Sequence, residues 1–238
     1  MEALPSDCRP RTIDEAYVVQ DAMTARAGRK VAGWKLAVTS AAGQKRLAIG
    51  HPLSGRLFDG YVVADGARLD AGPMRMRVAE PEFAFRLARD LPPRANPYSL
   101  DDVMGAVAAL HLAIEVPDSR FERFAEMDAA AMVADDGFAG WFVLGAAVSA
   151  WRELDLAHRP VRALRNGAPA GEGRAADTLG DPRRQLCWLA GDRARRGAGL
   201  KAGDLVTTGT CCPPVAIAPG YRVRAEFEGL GAVEVAFD

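Results

Sequence analysis

Apolar and polar residues follow two different periods along this chain, and the switches between them outline its elements. Thr12-Ile-Asp-Glu15 has the form in which a hydroxyl and a carboxylate satisfy the first free amides of a helix. It predicts a helix over residues 16–27, ended by Gly28. Residues 31–38 read as a strand with Lys35 inside it, and Thr39-Ser40 open a short helix reaching about residue 48. Further strands are expected over 56–58, 61–64 and 74–87, the last followed by a Pro- and Asn-rich loop and a helix begun by Ser99-Leu-Asp-Asp102. Residues 111–116 read as a buried strand stopped by Pro117. A polar, acidic stretch over 118–136 then precedes an apolar strand over 141–148. Asn166-Gly167 predicts a hairpin turn, and Asp181-Pro182 a helix start with Asp as cap and Pro in the first turn, running to about residue 196. The last forty residues are strand-rich, over 205–208, 215–217, 221–228 and 233–237, with Gly229-Leu-Gly231 turning the final pair.

Strands outnumber helices and follow one another directly, which predicts an α+β fold on antiparallel or mixed sheet rather than βαβ alternation. The 238 residues suit one large domain, with residues 1–55 as an N-terminal helical lobe and 56–238 as the β-rich core. A formal net charge of −1 gives no electrostatic case for nucleic acid or an anionic membrane. The longest apolar stretch, 141–150, is too short to span a bilayer, and the first residues lack the basic start and apolar centre of a secretion signal. Cys8, Cys187, Cys211 and Cys212 form no C-x-x-C pair, so neither a zinc site nor a disulfide framework is expected, and the setting read from this is cytoplasmic.

The chemistry gathers on carboxylates. In Arg77-Val-Ala-Glu-Pro-Glu-Phe-Ala-Phe-Arg86, Glu80 and Glu82 share one face of a strand, and Phe83, Phe85 and Leu87 take the other. Glu115, in Leu110-His-Leu-Ala-Ile-Glu-Val116, is again an ionisable group in a segment that should be buried. Like charges in an apolar setting are costly unless something positive neutralises them, and three converging carboxylates suit a hard cation such as Mg²⁺ or Mn²⁺. The alternative is a solvent-facing arrangement paired with Arg75, Arg77 or Arg86.

Lys35, inside an apolar strand, serves either an anionic substrate or proton transfer, or else lies on a sheet edge with its ammonium in water. The Thr39 and Ser40 hydroxyls suit a carboxylate, a helix cap, or both. Thr207-Thr-Gly-Thr-Cys-Cys-Pro-Pro214 offers Thr208 and Thr210 to an anionic ligand, or is an ordinary Gly/Pro turn in which the cysteines pack. Gly171-Glu-Gly-Arg-Ala-Ala176 has the spacing of a dinucleotide loop but follows a turn instead of a strand, and His51 and His158 read as surface residues. The Arg193-Ala-Arg-Arg196 run reads as the solvated end of a helix.

Taken in order, several blocks resemble the 2-keto-4-pentenoate hydratase family of the fumarylacetoacetate hydrolase superfamily, which also holds 4-oxalocrotonate decarboxylases. They are Ala16-Tyr-Val-Val-Gln20, Gly33-Trp-Lys-Leu-Ala-Val-Thr-Ser40, Val78-Ala-Glu-Pro-Glu-Phe-Ala-Phe85, Ile114-Glu-Val-Pro-Asp-Ser-Arg120, Val133-Ala-Asp-Asp136, Leu200-Lys-Ala-Gly-Asp204 with Thr208-Gly-Thr210, and Phe227-Glu-Gly-Leu-Gly231. The resemblance implies a mixed β-sandwich roll with a helical N-terminal lobe. It implies Mg²⁺ or Mn²⁺ on Glu80, Glu82 and Glu115, and a 2-oxo acid bound or polarised by Lys35, Thr39 and Ser40. The implied activity is a metal-dependent hydratase or decarboxylase of aromatic catabolism, acting as a homo-oligomer. Acylpyruvate C–C hydrolysis, with His111 as base, and a silent metal- and oxo-acid-binding protein are the other readings. Two departures stand out: Leu53 replaces the acid usual after the proline in His51-Pro-Leu-Ser-Gly55, leaving Asp59 as the nearest acid/base, and Gly137-Phe138 replace small polar residues.

Overall fold

Two β-sheets packed face to face form the body of the fold, with a small helical layer beside one edge of the larger sheet. The computed structural model describes residues 1–177 and 180–238. Along them run the helices α1 (Ile13–Ala27), α2 (Ala41–Arg46), α3 (Leu100–Met104), α4 (Ala129–Ala134) and α5 (Pro182–Arg195). The strands are β1 (Val31–Ala37), β2 (Leu53–Phe58), β3 (Val62–Ala64), β4 (Arg68–Leu69), β5 (Val78–Leu87), β6 (Val107–Val116), β7 (Trp141–Val148), β8 (Pro160–Arg165), β9 (Ala168–Arg174), β10 (Leu205–Thr210), β11 (Val215–Ala216), β12 (Arg222–Phe227) and β13 (Gly231–Phe237). The larger sheet has the order β2-β1-β10-β5-β6-β7-β3, with β11 added to β5, and the smaller has the order β4-β13-β12-β8-β9. Parallel β1–β10 and β3–β7 pairs among antiparallel neighbours make the larger sheet mixed, as the α+β reading expects. β1 and β2, from the segment read as a helical lobe, are both strands of that sheet.

The local signals act as their chemistry dictates. The Thr12 hydroxyl accepts the Glu15 amide, and Gly28 leaves α1 with a φ of 60°. Ser99 and Asp102 complete a reciprocal capping box on α3, and Asp181 caps α5. Asn166 and Gly167, both at positive φ, join β8 to β9. The main core lies between the sheets. Phe83 and Phe85 of β5 face it, and Phe83 meets Phe227 of β12 at a ring separation of 5.0 Å. Each such fully buried side chain contributes about 1.5–3 kcal/mol from removal of apolar area from water.

Two expectations need correcting here. The acidic stretch over 118–136 holds α4, all six of whose residues are buried against α1, Leu53 and Phe138. Its aspartates accept local hydrogen bonds, Asp128 from the Ala131 amide and Asp135 from the Ser119 hydroxyl and the Arg120 amide, while Glu122 and Glu126 are exposed. Nor is the arginine run at the end of α5 wholly solvated. Arg193 is buried with its guanidinium 4.0 Å from the Trp34 ring, and Arg196 lies 3.7 Å from the Tyr17 ring, because each flat cation packs on an aromatic face. No helix among the described residues is long and apolar enough to cross a membrane.

Candidate metal centre and cavity

The period of two on β5 and β6 becomes a site through register. The antiparallel pair sets Glu80 directly opposite Glu115 and Glu82 opposite Ala113, on the face away from Phe83 and Phe85. One carboxylate oxygen from each of Glu80, Glu82 and Glu115 lies within 4.8 Å of the others. Glu82 and Glu115 are fully buried and Glu80 is half-buried facing the cavity. Lys35, on β1, brings a buried ammonium to 3.0 Å from Glu115 Oε1 and donates to the Gly137 carbonyl at 3.0 Å. The solvent-facing alternative, with Arg75, Arg77 or Arg86 as partners, is thereby replaced by a buried lysine.

One lysine cannot balance three carboxylates. Glu82 Oε2 accepts the Gly209 amide at 2.9 Å and Glu115 Oε1 has the Lys35 ammonium, but Glu82 Oε1 and Glu115 Oε2 receive no hydrogen bond. Burial first, and then the Glu115 charge, pushes Glu80 up to about 7. Glu82 is raised well above the ordinary carboxylate range by burial and by both neighbouring glutamates, and Glu115 is raised by burial against the pull of Lys35. Burial alone would lower Lys35; the charges of Glu115, Glu80 and Glu82 outweigh it and hold the ammonium protonated. With all three glutamates ionised, the cluster keeps a net charge of about −2, which a divalent cation would cancel. An all-oxygen donor set with orphaned oxygens fits Mg²⁺ or Mn²⁺, and no histidine or cysteine stands in that set as zinc would favour.

Around this centre opens a cavity of about 530 Å³. Its polar wall is built by close approaches. Val38 takes a φ of 57°, a strained conformation for a β-branched residue, where the chain leaves β1 for Thr39 and Ser40. Thr39 packs on Gly209, where a Cβ would stand 2.2 Å from Thr39 Oγ1, and Gly209 itself has a φ of 98°. The Ser40 hydroxyl caps α2 by accepting the Gly43 amide at 3.1 Å, and Ser40 also lines the cavity, so both roles read from the sequence are compatible. The opposite wall is apolar, from Met76, Pro117, Met132 and Phe138, with Arg46 and Glu172 among the charged lining groups. Phe138 belongs to a turn in which Asp136, Gly137 and Phe138 all have left-handed φ, of 57°, 64° and 60°, a conformation that costs roughly 1–2 kcal/mol for each non-glycine residue.

The structure brings together Lys35, Glu80, Glu82, Thr39, Ser40 and Thr210 on the cavity wall, with Glu115 beneath them. Two expected residues lie elsewhere. Asp59 opens an exposed turn at the end of β2, four residues beyond the Gly55 that pairs with Lys35, or roughly 13 Å along the strand, and does not line the cavity. Thr208 is buried with its hydroxyl on the Phe83 carbonyl, because the irregularity between Thr207 and Thr210 breaks the alternation that would set Thr208 and Thr210 on one face. Leu53 is fully buried in the cluster that includes Phe138, and His111 Nδ1 bonds the Gly145 carbonyl outside the cavity. Cys211 is a buried packing residue, and Cys212, nearly as buried, lines the cavity with its thiol pushed up to about 12 by burial and then by Glu80. Sequence reasoning missed Met76 and Met132 and marked Gly137-Phe138 only as a departure, without a role in the site; the run of small apolar residues after Asp128 is the available signal for the helix that carries Met132.

Comparison with known proteins shows the family to which this fold belongs. Residues 61–237 match the model of the fumarylacetoacetate (FAA) hydrolase C-terminal family. A 2-keto-4-pentenoate hydratase of Paraburkholderia phymatum is 34% identical over 229 residues, covering 93% of this chain and 85% of that protein. 2-Keto-4-pentenoate hydratase 2 of Dechloromonas aromatica is 35% identical over 228 residues, covering 94% and 86%. Among solved structures, 4-oxalocrotonate decarboxylase from Pseudomonas putida G7, complexed with magnesium and adipate, superposes with a TM-score of 0.88 at 30% identity, covering 95% of this chain and 86% of that one. The chain belongs to the fumarylacetoacetate hydrolase family, in the branch that holds the 2-keto-4-pentenoate hydratases and 4-oxalocrotonate decarboxylase.

Proposed function

We propose that the protein is a divalent-metal-dependent lyase that hydrates a 2-hydroxydienoate of aromatic catabolism by way of its 2-oxo tautomer. The observation that carries this reading is the buried set Glu80, Glu82 and Glu115, with orphaned oxygens, beside the buried cation Lys35 in a chain about a third identical to curated hydratases.

Glu80, Glu82 and Glu115 would hold Mg²⁺ or Mn²⁺, which when bound supplies a Lewis acid to the carboxylate and 2-oxo oxygens of the substrate. The chain's own groups do the rest. Lys35, paired with Glu115 and donating to the Gly137 carbonyl, presents an ammonium that can stabilise negative charge growing on the 2-oxygen and pass a proton along the substrate. The Ser40 hydroxyl accepts from the Gly43 amide, which leaves its own hydrogen to donate to a substrate carboxylate. Thr39 and Thr210 line the same wall, while Met76, Met132, Pro117 and Phe138 keep water off the hydrocarbon part of the substrate. In hydration the proton reaches C5 and water adds at C4.

The test is to incubate the Mg²⁺-loaded protein with 2-hydroxypenta-2,4-dienoate. Loss of dienol absorbance without CO₂ release, abolished in Lys35→Met, is expected; no loss would sink the hydratase reading. A second reading, the decarboxylase, is favoured by Leu53, an apolar residue fully buried in the cluster that includes Phe138, where no acid is presented to the cavity. Metal-dependent CO₂ release from 4-oxalocrotonate would select it. With either lyase goes a cytoplasmic homo-oligomer, a state that light scattering on the purified protein checks.

A further inference from the structure

We infer that Asp136 is a positioning residue for Lys35, acting through the left-handed turn Asp136–Phe138. The inference rests on the role given to Lys35 above. It starts from the β1–β2 register, in which Lys35 lies directly opposite Gly55. Any side chain at 55 would occupy the space of the turn, since a Cβ there would stand 1.9 Å from the Asp136 carbonyl oxygen. Glycine thus lets the turn settle over β2, where the Gly137 carbonyl reaches Lys35 Nζ at 3.0 Å.

A strained turn keeps such a place only if it is tied down. The ties come from two sides. The Asp136 carboxylate accepts the Arg56 amide at 2.9 Å, one residue beyond Gly55. The preceding Asp135 fastens the other side, accepting the Ser119 hydroxyl at 2.6 Å and the Arg120 amide at 3.1 Å, and the Phe138 carbonyl accepts the Asp118 amide at 3.1 Å. Of these ties only Asp136 joins the turn to β2, the strand beside Lys35. The ammonium needs that placement, because Glu115 pulls it toward the carboxylates and the Gly137 carbonyl is the acceptor that balances the pull. Asp136 therefore sets where the positive charge sits relative to the substrate without touching it.

Asp136→Gly removes the carboxylate while suiting the left-handed backbone, so the tie is tested apart from the strain. Asp136→Asn keeps an oxygen for the Arg56 amide and tolerates the same φ. Two quantities are read on the Mg²⁺-loaded protein: kcat, and the affinity for oxalate, which carries the oxygens of a 2-oxo acid and needs no turnover. In Asp136→Gly both are expected to fall by about tenfold at unchanged Mg²⁺ affinity. Asp136→Asn should recover most of the loss, and in the inactive Lys35→Met background, where oxalate affinity alone is read, Asp136→Gly should cost nothing further. A merely structural Asp136 would lower the melting temperature of Asp136→Gly and leave kcat and oxalate affinity alone, which overturns the inference. So does an Asp136→Asn protein as impaired as Asp136→Gly, or a full Asp136 effect in the absence of the Lys35 ammonium. Failure of the wild type to turn over any 2-oxo acid overturns the lyase reading by itself, and the oxalate series still decides the role of Asp136.

Discussion

The two halves of the cavity are built on different principles. One half is sheet: Lys35, Glu80, Glu82 and Glu115 stand on β1, β5 and β6, and their places follow from strand alternation and register. The other half is turns and short helices, in which Thr39, Ser40, Gly137 and Phe138 are held by close backbone approaches, caps and left-handed residues. The sheet half concentrates unbalanced charge, and the turn half concentrates backbone strain. Catalytic capacity should therefore fall with the first, and the precision of substrate placement with the second.

The sharpest break in this comparison is Glu82→Gln. It removes one charged oxygen donor from the centre while leaving the strand intact, so activity should fall by on the order of a thousandfold, in keeping with the several kcal/mol that a Lewis acid supplies. Mg²⁺ affinity, measured by calorimetry, should fall more than the ~10–100-fold seen when a group that only orients a ligand is lost. The melting temperature of the metal-free variant should rise, because folding no longer has to bury a carboxyl whose ionised form is disfavoured by burial and by both neighbouring glutamates. Equal Mg²⁺ affinity in the two proteins would remove Glu82 from the centre, and a lower metal-free melting temperature would mean that the carboxylate stabilises the fold.

The same division decides what could be read from the chain alone. Glu80 and Glu82 are two apart in an apolar run, so their shared face is legible, as is that of Lys35 within β1. That Glu115 faces Glu80 depends on β5 pairing with β6, a long-range choice that no local pattern states. Thr208 and Thr210 look equivalent by alternation, yet the irregularity at Gly209 buries one and leaves the other half-buried on the cavity wall. Asp59 is the acid nearest to Leu53 along the chain, but β2 runs extended from Leu53 to Phe58 and so carries Asp59 away from the cavity. The stretch that forms α4 and the turn after it reads as polar because its aspartates are counted as solvated, whereas their oxygens are spent on backbone amides.

Gly209→Ala breaks the turn half at its tightest contact. The new methyl would meet Thr39 Oγ1 at 2.2 Å and force a φ of 98° on a residue with a side chain. Strain and overpacking together should cost roughly 2–5 kcal/mol of stability. The amide that Glu82 uses would shift as well, so chemical denaturation and Mg²⁺ titration should both report a loss. A stable variant with unchanged affinity would show that the two halves are less tightly joined than the Thr39–Gly209 contact implies.

Charge in the sheet half also predicts a pH dependence. Glu80, pushed up to about 7, binds its proton more tightly in the folded chain than in the unfolded one, where the ordinary value is near 4.5. Its contribution is fully present below that ordinary value and is lost as pH rises through 7, so metal-free protein should lose up to about 3 kcal/mol between these limits. Asp136, raised to about 6 by burial, acts in the same direction. Melting temperatures of chelator-treated protein should fall from pH 5 to pH 8, and Mg²⁺ should restore them most at the upper end, where it no longer competes with protons. A metal-free melting temperature that rises over this range would contradict the charge imbalance.

The smallest expected effect separates capping from substrate binding at Ser40. As a cap, its hydroxyl accepts the Gly43 amide at the start of the six-residue α2, and Ser40→Ala should cost about 1 kcal/mol. Ser40→Asp restores a capping oxygen but sets a negative charge on the wall proposed to hold a substrate carboxylate. If Ser40 only caps, stability and KM should move together and return together in Ser40→Asp. If it also donates to the substrate, Ser40→Asp should recover stability while raising KM above that of Ser40→Ala, since a like charge now faces the anion. A helix this short derives little stability of its own, so its cap is retained in the turn half chiefly to keep Thr39 and Ser40 in register with Gly209 and the carboxylate centre.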